Sequence, residues 1–247
     1  MEEKTGLALA AVGGIAAVEG LFIYNALSYT CQVPFKVEQF WAHETCMGPC
    51  GPFSRVNMFS SDYIYQVYIK LSEPVNGYGI VYITIDNNIH AAPIDIVNGE
   101  GTATFDEDNA LFNHIYFYYL VMNIDGKTYK YDGKTLTCTN ESAEFPYKAT
   151  LTASSNAIDL CNPYNTLNLT VCVTPKTFKS GVVIGIGSID PNNNCASIGY
   201  AEGNFYNLPC ITENQTYQRF VYVTGNNNIT YEIYTNPVTV SVTKPKQ

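Results

Sequence analysis

Short apolar segments of alternating pattern, broken by turn signals, constrain the fold of this chain more than any other feature. From about residue 60 onward these segments are rich in β-branched and aromatic residues, a composition typical of strands. They read YQVYIKL, GIVYITI, HIYFYYLVM, KTYKY, LNLTVCV, GVVIGIG, RFVYV, ITYEIY and PVTVSV, separated by NG, DG or NNN turns. This spacing predicts a mainly β protein built from antiparallel sandwiches.

Two pairs of segments repeat at nearly the same offset. GYGIVYITIDNN aligns with GVVIGIGSIDPNN, so that Asp86 falls on Asp190 at an offset of 104. KTYKYDGKTLT aligns with ITYEIYTNPVTV, so that Tyr129 falls on Tyr231 at an offset of 102. The agreement predicts tandem copies of one sandwich of about 100 residues, and about seven short strands per copy favour the immunoglobulin-like class.

The chain begins with an almost uncharged run over residues 6–24. A helix of this length would span roughly 28 Å, close to the hydrocarbon thickness of a bilayer. A cleaved secretory signal is the rival interpretation, but the first four residues are net acidic and no small-x-small cleavage site ends the run. We therefore expect an N-terminal helix that is retained in the mature protein.

Small residues recur along this helix at spacings of four and three, which places them on one face. Such a face lets a second apolar helix approach closely, although Ala and Gly also abound in simple anchors. Glu19 lies beside this face and needs a donor or a proton in an apolar setting, so it is the predicted buried carboxylate. The predicted packing seam consists of Gly6, Ala10, Gly13, Ala17 and Gly20.

The sequence therefore predicts four parts. They are an N-terminal hydrophobic helix over 1–27, a Cys/Pro-rich connecting segment over 28–59 with little regular structure, a first β-sandwich over 60–146 and a second over 147–247.

An apolar N-terminal helix followed by a β-rich, often glycosylated exterior domain resembles the archaeal type IV pilins and related surface-filament subunits. The resemblance implies that the helices form the core of a filament, and a membrane-anchored spike or coat protein of an archaeal virus has the same outline.

The first sandwich lacks an obvious opening strand. The second copy begins with the strand-like segment YKATLTA from Tyr147, whereas the corresponding stretch of the first copy, TCMGPCG, has no strand character. We expect the first sandwich either to take VPFKVEQFW from the connecting segment or to receive a strand from a neighbouring molecule. Strand donation between molecules would cover an exposed sheet edge.

Cysteines and glycosylation sequons indicate an oxidising exterior. The eight cysteines split evenly between the halves, so each half can close its own disulfides, and the rival interpretation is a cytosolic chain with free thiols. In LNLTVCV, Cys172 alternates with the apolar face, so its disulfide should not cross the core. The predicted disulfide residues are Cys31, Cys46, Cys50, Cys138, Cys161, Cys172, Cys195 and Cys210, and the predicted glycosylation sites are Asn140, Asn168, Asn214 and Asn228.

Catalytic and metal-binding signals are weak. The three histidines, His43, His90 and His114, are scattered, and no nucleophile elbow, phosphate loop, dinucleotide fingerprint or zinc-protease motif is present. His43 with Cys46, Cys50 and Cys31 matches no strong zinc spacing, so disulfides are favoured there. The acidic residues Asp106, Glu107, Asp108 and Asp190 could ligate calcium but suit solvated turns equally well. We expect no enzymatic activity, no cofactor and no metal.

Charge limits the classes of partner. The net charge is −9 without a basic stripe, which disfavours nucleic acid. We expect a structural subunit of an extracellular assembly, either a pilus-like filament or a virion surface, whose helix assembles with other copies or enters a membrane and whose sandwiches serve adhesion. The alternative is a membrane-anchored module that binds a host sugar or receptor, with Trp41 and exposed tyrosines as its stacking platform.

Overall fold

The computed structural model describes residues 32–47, 62–107, 114–162, 164–200 and 209–246. The strands belong to one compact unit, Phe35–Gln247. The first half contains β1 (Val37–Met47), β2 (Asp62–Leu71), β3 (Gly77–Ile85), β4 (Asn88–Val97), β5 (Glu100–Glu107), β6 (Ile115–Ile124), β7 (Lys127–Tyr131) and β8 (Leu136–Cys138). The second half contains β9 (Lys148–Ala153), β10 (Ala157–Asp159), β11 (Leu167–Thr174), β12 (Phe178–Val183), β13 (Gly187–Ser188), β14 (Cys195–Tyr200), β15 (Cys210–Tyr217), β16 (Phe220–Gly225), β17 (Thr230–Tyr234) and β18 (Val238–Pro245).

The same strand pairing occurs twice. In the first half β2 pairs with β1 and β5, while β6 pairs with β3 and β7. In the second half β11 pairs with β9 and β14, while β16 pairs with β12 and β17. All of these pairs are antiparallel. The segments that repeat in the sequence thus occupy equivalent strands, β3 with β12 and β7 with β17.

The predicted fold, a mainly β chain with an N-terminal helix followed by two tandem immunoglobulin-like sandwiches, is wrong for the described residues. They contain strands and no helix, and residues 1–27 lie outside them. β17 of the second half pairs in parallel with β4 of the first, with Thr230 opposite His90 and Tyr231 opposite Ala91. This junction joins both halves into one 12-stranded sheet, so the halves are not independent tandem modules.

The central part of the shared sheet, around β3, is a middle layer that is buried on both faces. In β3, Ile80 and Tyr82 belong to the core of the second half, whereas Val81 and Ile83 alternate with them and are also fully buried. Phe117 of β6, the register partner of Ile83, packs against Phe40 of β1 with ring centroids 4.7 Å apart. β1, β2 and β5 belong to the same 12-stranded sheet through the pairing of β5 with β4, and they fold over one face of its central strands. The two three-stranded sheets of the second half, β14-β11-β9 and β10-β18-β15, contribute to the core on the other face.

The first half takes its opening strand from its own chain. β1 lies inside the segment that was expected to have little regular structure, and it pairs with β2 from Val37–Leu71 to Met47–Asp62. This edge of β2 is therefore covered without a neighbouring molecule. The hypothesis of strand donation between subunits is wrong, and the alternative, a strand from the connecting segment, is confirmed.

Two hairpin turns consist of the Asn-Gly and Asp-Gly pairs that the sequence predicts. Asn98 and Gly99 connect β4 to β5, and Asp125 and Gly126 connect β6 to β7; all four residues have positive φ. Two-residue hairpin loops of this kind require left-handed backbone at both positions, which Asn-Gly and Asp-Gly tolerate best. The predicted NG and DG turns are thus confirmed.

Candidate functional site

The cysteines of the second half pair with each other. Cys161 bonds to Cys210, and Cys172 bonds to Cys195. The second disulfide joins directly opposed residues of β11 and β14, on the outward face of their sheet. It does not cross the core, in agreement with the prediction from LNLTVCV. Cys138 is also disulfide-bonded, and an oxidising environment is consistent with these bonds.

Several predicted positions lie outside the described residues. These are the helix seam Gly6, Ala10, Gly13, Ala17 and Gly20, the acidic Glu19, Cys31, Cys50, Asp108 and the side chains of Cys46 and Glu107. In the part of the chain that the structure does describe, no helix has the length and apolar character needed to cross a membrane. The pilin-like resemblance therefore stays a prediction.

The candidate metal ligands are not brought together. His43 is exposed on β1, and the Asp190 carboxylate accepts hydrogen bonds from the backbone and side chain of Asn192, both at 2.9 Å. Asp106 lies on β5, and its backbone N–H donates to Glu232 of β17. Within the described ranges, no group of three or more His, Cys, Asp or Glu side chains is arranged to hold an ion.

All four sequon asparagines are exposed. Asn140 follows β8, Asn168 lies on the outward face of β11, Asn214 lies on β15, and Asn228 lies in the turn between β16 and β17. Each position leaves room for a glycan outside the core. None of the sequons falls on β1 to β8, so the predicted glycans would cover the second half and the segment that leads to it.

The first half, whose strands carry no sequon, exposes several aromatic side chains. Tyr116 and Tyr118 on β6 are 62% and 50% exposed, and the ring of Tyr118 packs edge-on against Tyr119, with centroids 4.6 Å apart. On the opposite outer layer, Trp41 stacks on Tyr68 at 5.0 Å. Tyrosine and tryptophan bring large, rigid contact area with a polar handle, which is why they are frequent at interfaces.

A fully buried carboxylate lies where the two halves meet. Glu232 on β17 has no exposed surface. Its Oε1 is 2.5 Å from His90 Nδ1, so a hydrogen bond joins the two groups, and its Oε2 accepts a hydrogen bond from the Asp106 backbone N–H at 3.1 Å. Tyr222 of β16 donates its hydroxyl proton to the Asp106 carbonyl. β17, β4, β5 and β16 are thus connected at one polar cluster.

Burial controls the protonation of this cluster. Removal from water raises the pKa of Glu232 well above its ordinary value; the Asp106 charge adds to the rise, and the Asp106 backbone hydrogen bond opposes it. The pKa of Tyr234 is raised by burial and then by the charges of Asp106 and Glu232. Glu232 was not predicted from the sequence, where its only signal is one acidic residue inside the apolar strand ITYEIY.

A cleft opens between the edge strands β14 and β15. Its volume is about 320 Å³, and it is lined by Leu160, Gly199, Tyr200, Gln215, Tyr217, Val242 and Lys244. The rings of Tyr200 and Tyr217 are nearly parallel, with centroids 6.3 Å apart. Ligand pockets begin at about this size, so the cleft is large enough for a small polar molecule.

Polar side chains in and around the cleft form a connected network. Tyr217 donates its hydroxyl proton to Gln215 Oε1 at 2.6 Å, and Gln215 Nε2 donates to Glu213 at 2.9 Å. Lys244 pairs with the same Glu213 oxygen at 2.6 Å. Behind Tyr200, Arg219 Nη2 donates to the phenol oxygen at 2.7 Å. The network fixes both tyrosine rings in place.

Comparison with known proteins does not assign a family. No family model matches this chain, and no curated protein matches it.

Proposed function

We propose that the chain is a structural subunit of an extracellular surface assembly, in which the first half contacts neighbouring copies and a glycosylated second half faces outward. The observation that carries this proposal is the uneven distribution of the glycosylation sequons between the two halves. Exposed Tyr116 and Tyr118 lie in a half whose strands carry no sequon, while three sequons lie on the other half.

The chemistry of the two surfaces supports this division. Only 14% of the residues are charged, so the tyrosine surface meets little electrostatic opposition from a second copy. A bulky glycan prevents close contact, whereas exposed tyrosine rings bury large area at small entropic cost. Disulfides within the second half stabilise it in an oxidising exterior.

A second function, binding of a host sugar or receptor, is favoured by the cleft beside Tyr200 and Tyr217. In that case the chain would be a binding module, and self-association would not be required. Purified protein distinguishes the two functions. Regular filaments or particles in electron microscopy support the structural subunit, and dispersed monomers that bind saccharides on a glycan array support the binding module.

Matched surface variants test the contact surface itself. We expect Tyr116→Ser with Tyr118→Ser to abolish assembly in light scattering and electron microscopy without unfolding the chain. Tyr164→Ser is the control, because Tyr164 is 92% exposed in the glycan-bearing half. If the double variant assembles as the wild type does, the tyrosine surface of β6 is not the contact between copies.

A further inference from the structure

The inner face of the edge strand β15 is polar where a closed sandwich would be apolar. Directly opposed residues of an antiparallel pair point to the same side of a sheet. Gln215 lies opposite Val240 of β18. Glu213 lies opposite Val242, and both valines are completely buried. Both polar side chains therefore point to the core side of their sheet, and Gln215 lines the cleft there.

The cleft is the place where the interior between the two small sheets opens at their edges. Tyr200, at the end of β14, lies opposite the buried Leu167, and both Tyr200 and Tyr217 pack against the core of this half. The two rings are partly exposed. Leu160 and Val242 are buried and line the inner part of the cleft. The cleft thus combines aromatic and aliphatic surface with polar side chains.

The ammonium group at the cleft is neutralised. Lys244 lines the cleft, and its Nζ lies 2.6 Å from the Glu213 carboxylate. An anionic ligand such as phosphate would have to compete with that carboxylate for the ammonium group. A wholly apolar ligand would remove water from the Gln215 amide without replacing its hydrogen bonds. These constraints favour an uncharged ligand with both an apolar face and hydroxyl groups, the combination found in a sugar ring.

One aromatic ring and one amide are placed to contact the same ligand. Tyr217 and Gln215 are two residues apart on β15, so their side chains lie on the same side of the strand, about 7 Å apart along it. The Tyr217 hydroxyl donates to Gln215 Oε1 at 2.6 Å, which fixes the orientation of the amide. Gln215 Nε2 has two N–H groups. Within the described residues one of them donates to Glu213, and the other can donate to a ligand hydroxyl.

We propose that the cleft binds one uncharged saccharide unit, whose C–H face packs on the Tyr217 ring and whose hydroxyl groups bond to Gln215. The site rests on the second function proposed above, the binding of a sugar, and assigns residues to it. It requires neither a glycan on this chain nor assembly with other copies.

Titration with methyl glycosides tests the site. The full chain is produced in an oxidising host that attaches no N-glycans, so that its own sugars cannot occupy the cleft, and is kept in a detergent without a sugar headgroup. Saturation-transfer difference NMR follows binding of the methyl glycosides of glucose, galactose, mannose and N-acetylglucosamine, with methyl glucuronide and inorganic phosphate as charged probes. We expect at least one uncharged glycoside to bind with a Kd of about 1 mM, the range for a ligand of this size. Absence of binding by every uncharged glycoside, or tighter binding by a charged probe, would overturn the inference.

Variants of two lining residues and one distant tyrosine identify the site. Tyr217→Ala should weaken binding about tenfold and Gln215→Ala about fivefold, because the first removes the stacking ring and the second a hydrogen bond. Tyr217→Phe keeps the ring and should weaken binding less than Tyr217→Ala does. Tyr78→Ala is the control and should leave binding unchanged, since Tyr78 is 41% exposed on β3 in the other half. Undiminished binding by a folded Tyr217→Ala variant would mean that the cleft is not the site.

Electron microscopy of the same chain after detergent removal keeps the two proposed functions distinguishable. Polar residues that point inward on an edge strand can serve only to discourage association between sheet edges, and in that case no glycoside binds. Filaments or particles from such a chain would exclude the saccharide site and leave the structural subunit in place. Glycoside binding that is lost in Tyr217→Ala, by a chain that stays dispersed, would support the site and overturn the structural subunit.

Discussion

The two halves of this protein share a strand pairing but differ in the length of their strands. The first half relies on long buried strands, such as the nine residues of β3, of which six are buried. The second half has shorter strands in the shared sheet, down to the two residues of β13, and adds two disulfides of its own. Cys138 of the first half is disulfide-bonded as well, so the comparison shows that one pairing scheme tolerates both long and short strands.

The largest expected effect comes from the core of the first half. Phe105 on β5 is completely buried, and Phe105→Ala should lower the free energy of unfolding by about 3–5 kcal/mol. Because the middle sheet is shared, both halves should unfold together. Fluorescence of Trp41, the single tryptophan, reports on the first half, and pulse proteolysis with peptide mass spectrometry reports on the second.

Tyr78→Ser is the matched control, since Tyr78 lies on β3 but is 41% exposed. If the two probes give different unfolding midpoints for Phe105→Ala, the halves unfold independently. The protein would then consist of two modules that are stable on their own.

The disulfides give the next largest effect. Cys161 and Cys210 are 49 residues apart and Cys172 and Cys195 are 23 apart, so loop entropy predicts losses of about 4 and about 3 kcal/mol when each pair is replaced by alanine. Chemical denaturation measures both values. If removal of the Cys172–Cys195 bond lowers the free energy of unfolding as much as removal of the Cys161–Cys210 bond, or more, loop-closure entropy does not determine which disulfide stabilises the fold more.

The junction between the halves should respond to pH. Folding raises the pKa of Glu232, so the folded chain binds its proton more tightly than the unfolded chain. The stability that this proton contributes is present below the ordinary carboxyl pKa and is lost as pH rises toward the raised one. Roughly 1 kcal/mol should disappear per pH unit within that window.

Glu232→Gln tests this assignment by denaturant unfolding between pH 4 and pH 8, as the difference from the wild type. The difference should change with pH, because glutamine keeps the shape and cannot titrate. Glu213→Gln is the control: pairing with Lys244 lowers the pKa of Glu213, so its small contribution is lost as pH falls. A pH-independent difference for Glu232→Gln would show that this carboxyl does not titrate as proposed.

The smallest effect should come from the exposed tyrosines of β6. Tyr116→Ser should change the free energy of unfolding by less than about 0.5 kcal/mol, because the ring is largely in water. Thermal unfolding checks this value. A loss of more than 1 kcal/mol would mean that this ring supports the fold of the first half, and the division between contact surface and core would need revision.

Local features of the fold could be predicted from the sequence, and the assembly of its layers could not. Asn98-Gly99 and Asp125-Gly126 are visible turn signals, and alternation around Cys172 gives its outward orientation. The unbroken apolar run at Ile80 to Ile83 is the signal that was missed, since burial on both faces removes the alternation. The sequence repeat predicts separate copies. The offset between the repeated segments carries no information about the two residue pairs that join β17 to β4.

Glu232 illustrates the second limit. Its strand position is readable from alternation, but its burial depends on His90 and Asp106, which lie 142 and 126 residues away along the chain. The cleft depends in the same way on two edge strands from different sheets. Such sites are created by tertiary packing, so no local pattern encodes them.

The middle layer also determines how slowly backbone amide hydrogens exchange with solvent. Backbone amides of β3 are bonded to β4 and β6 on either side and are covered above and below, so deuterium from solvent reaches them only when the whole unit opens. Amides of the two-residue strand β13 lie at the outer limit of the same sheet and exchange through local fraying. Within a single sheet, the free energy of opening that permits amide exchange therefore ranges from that of local fraying to that of unfolding the whole unit.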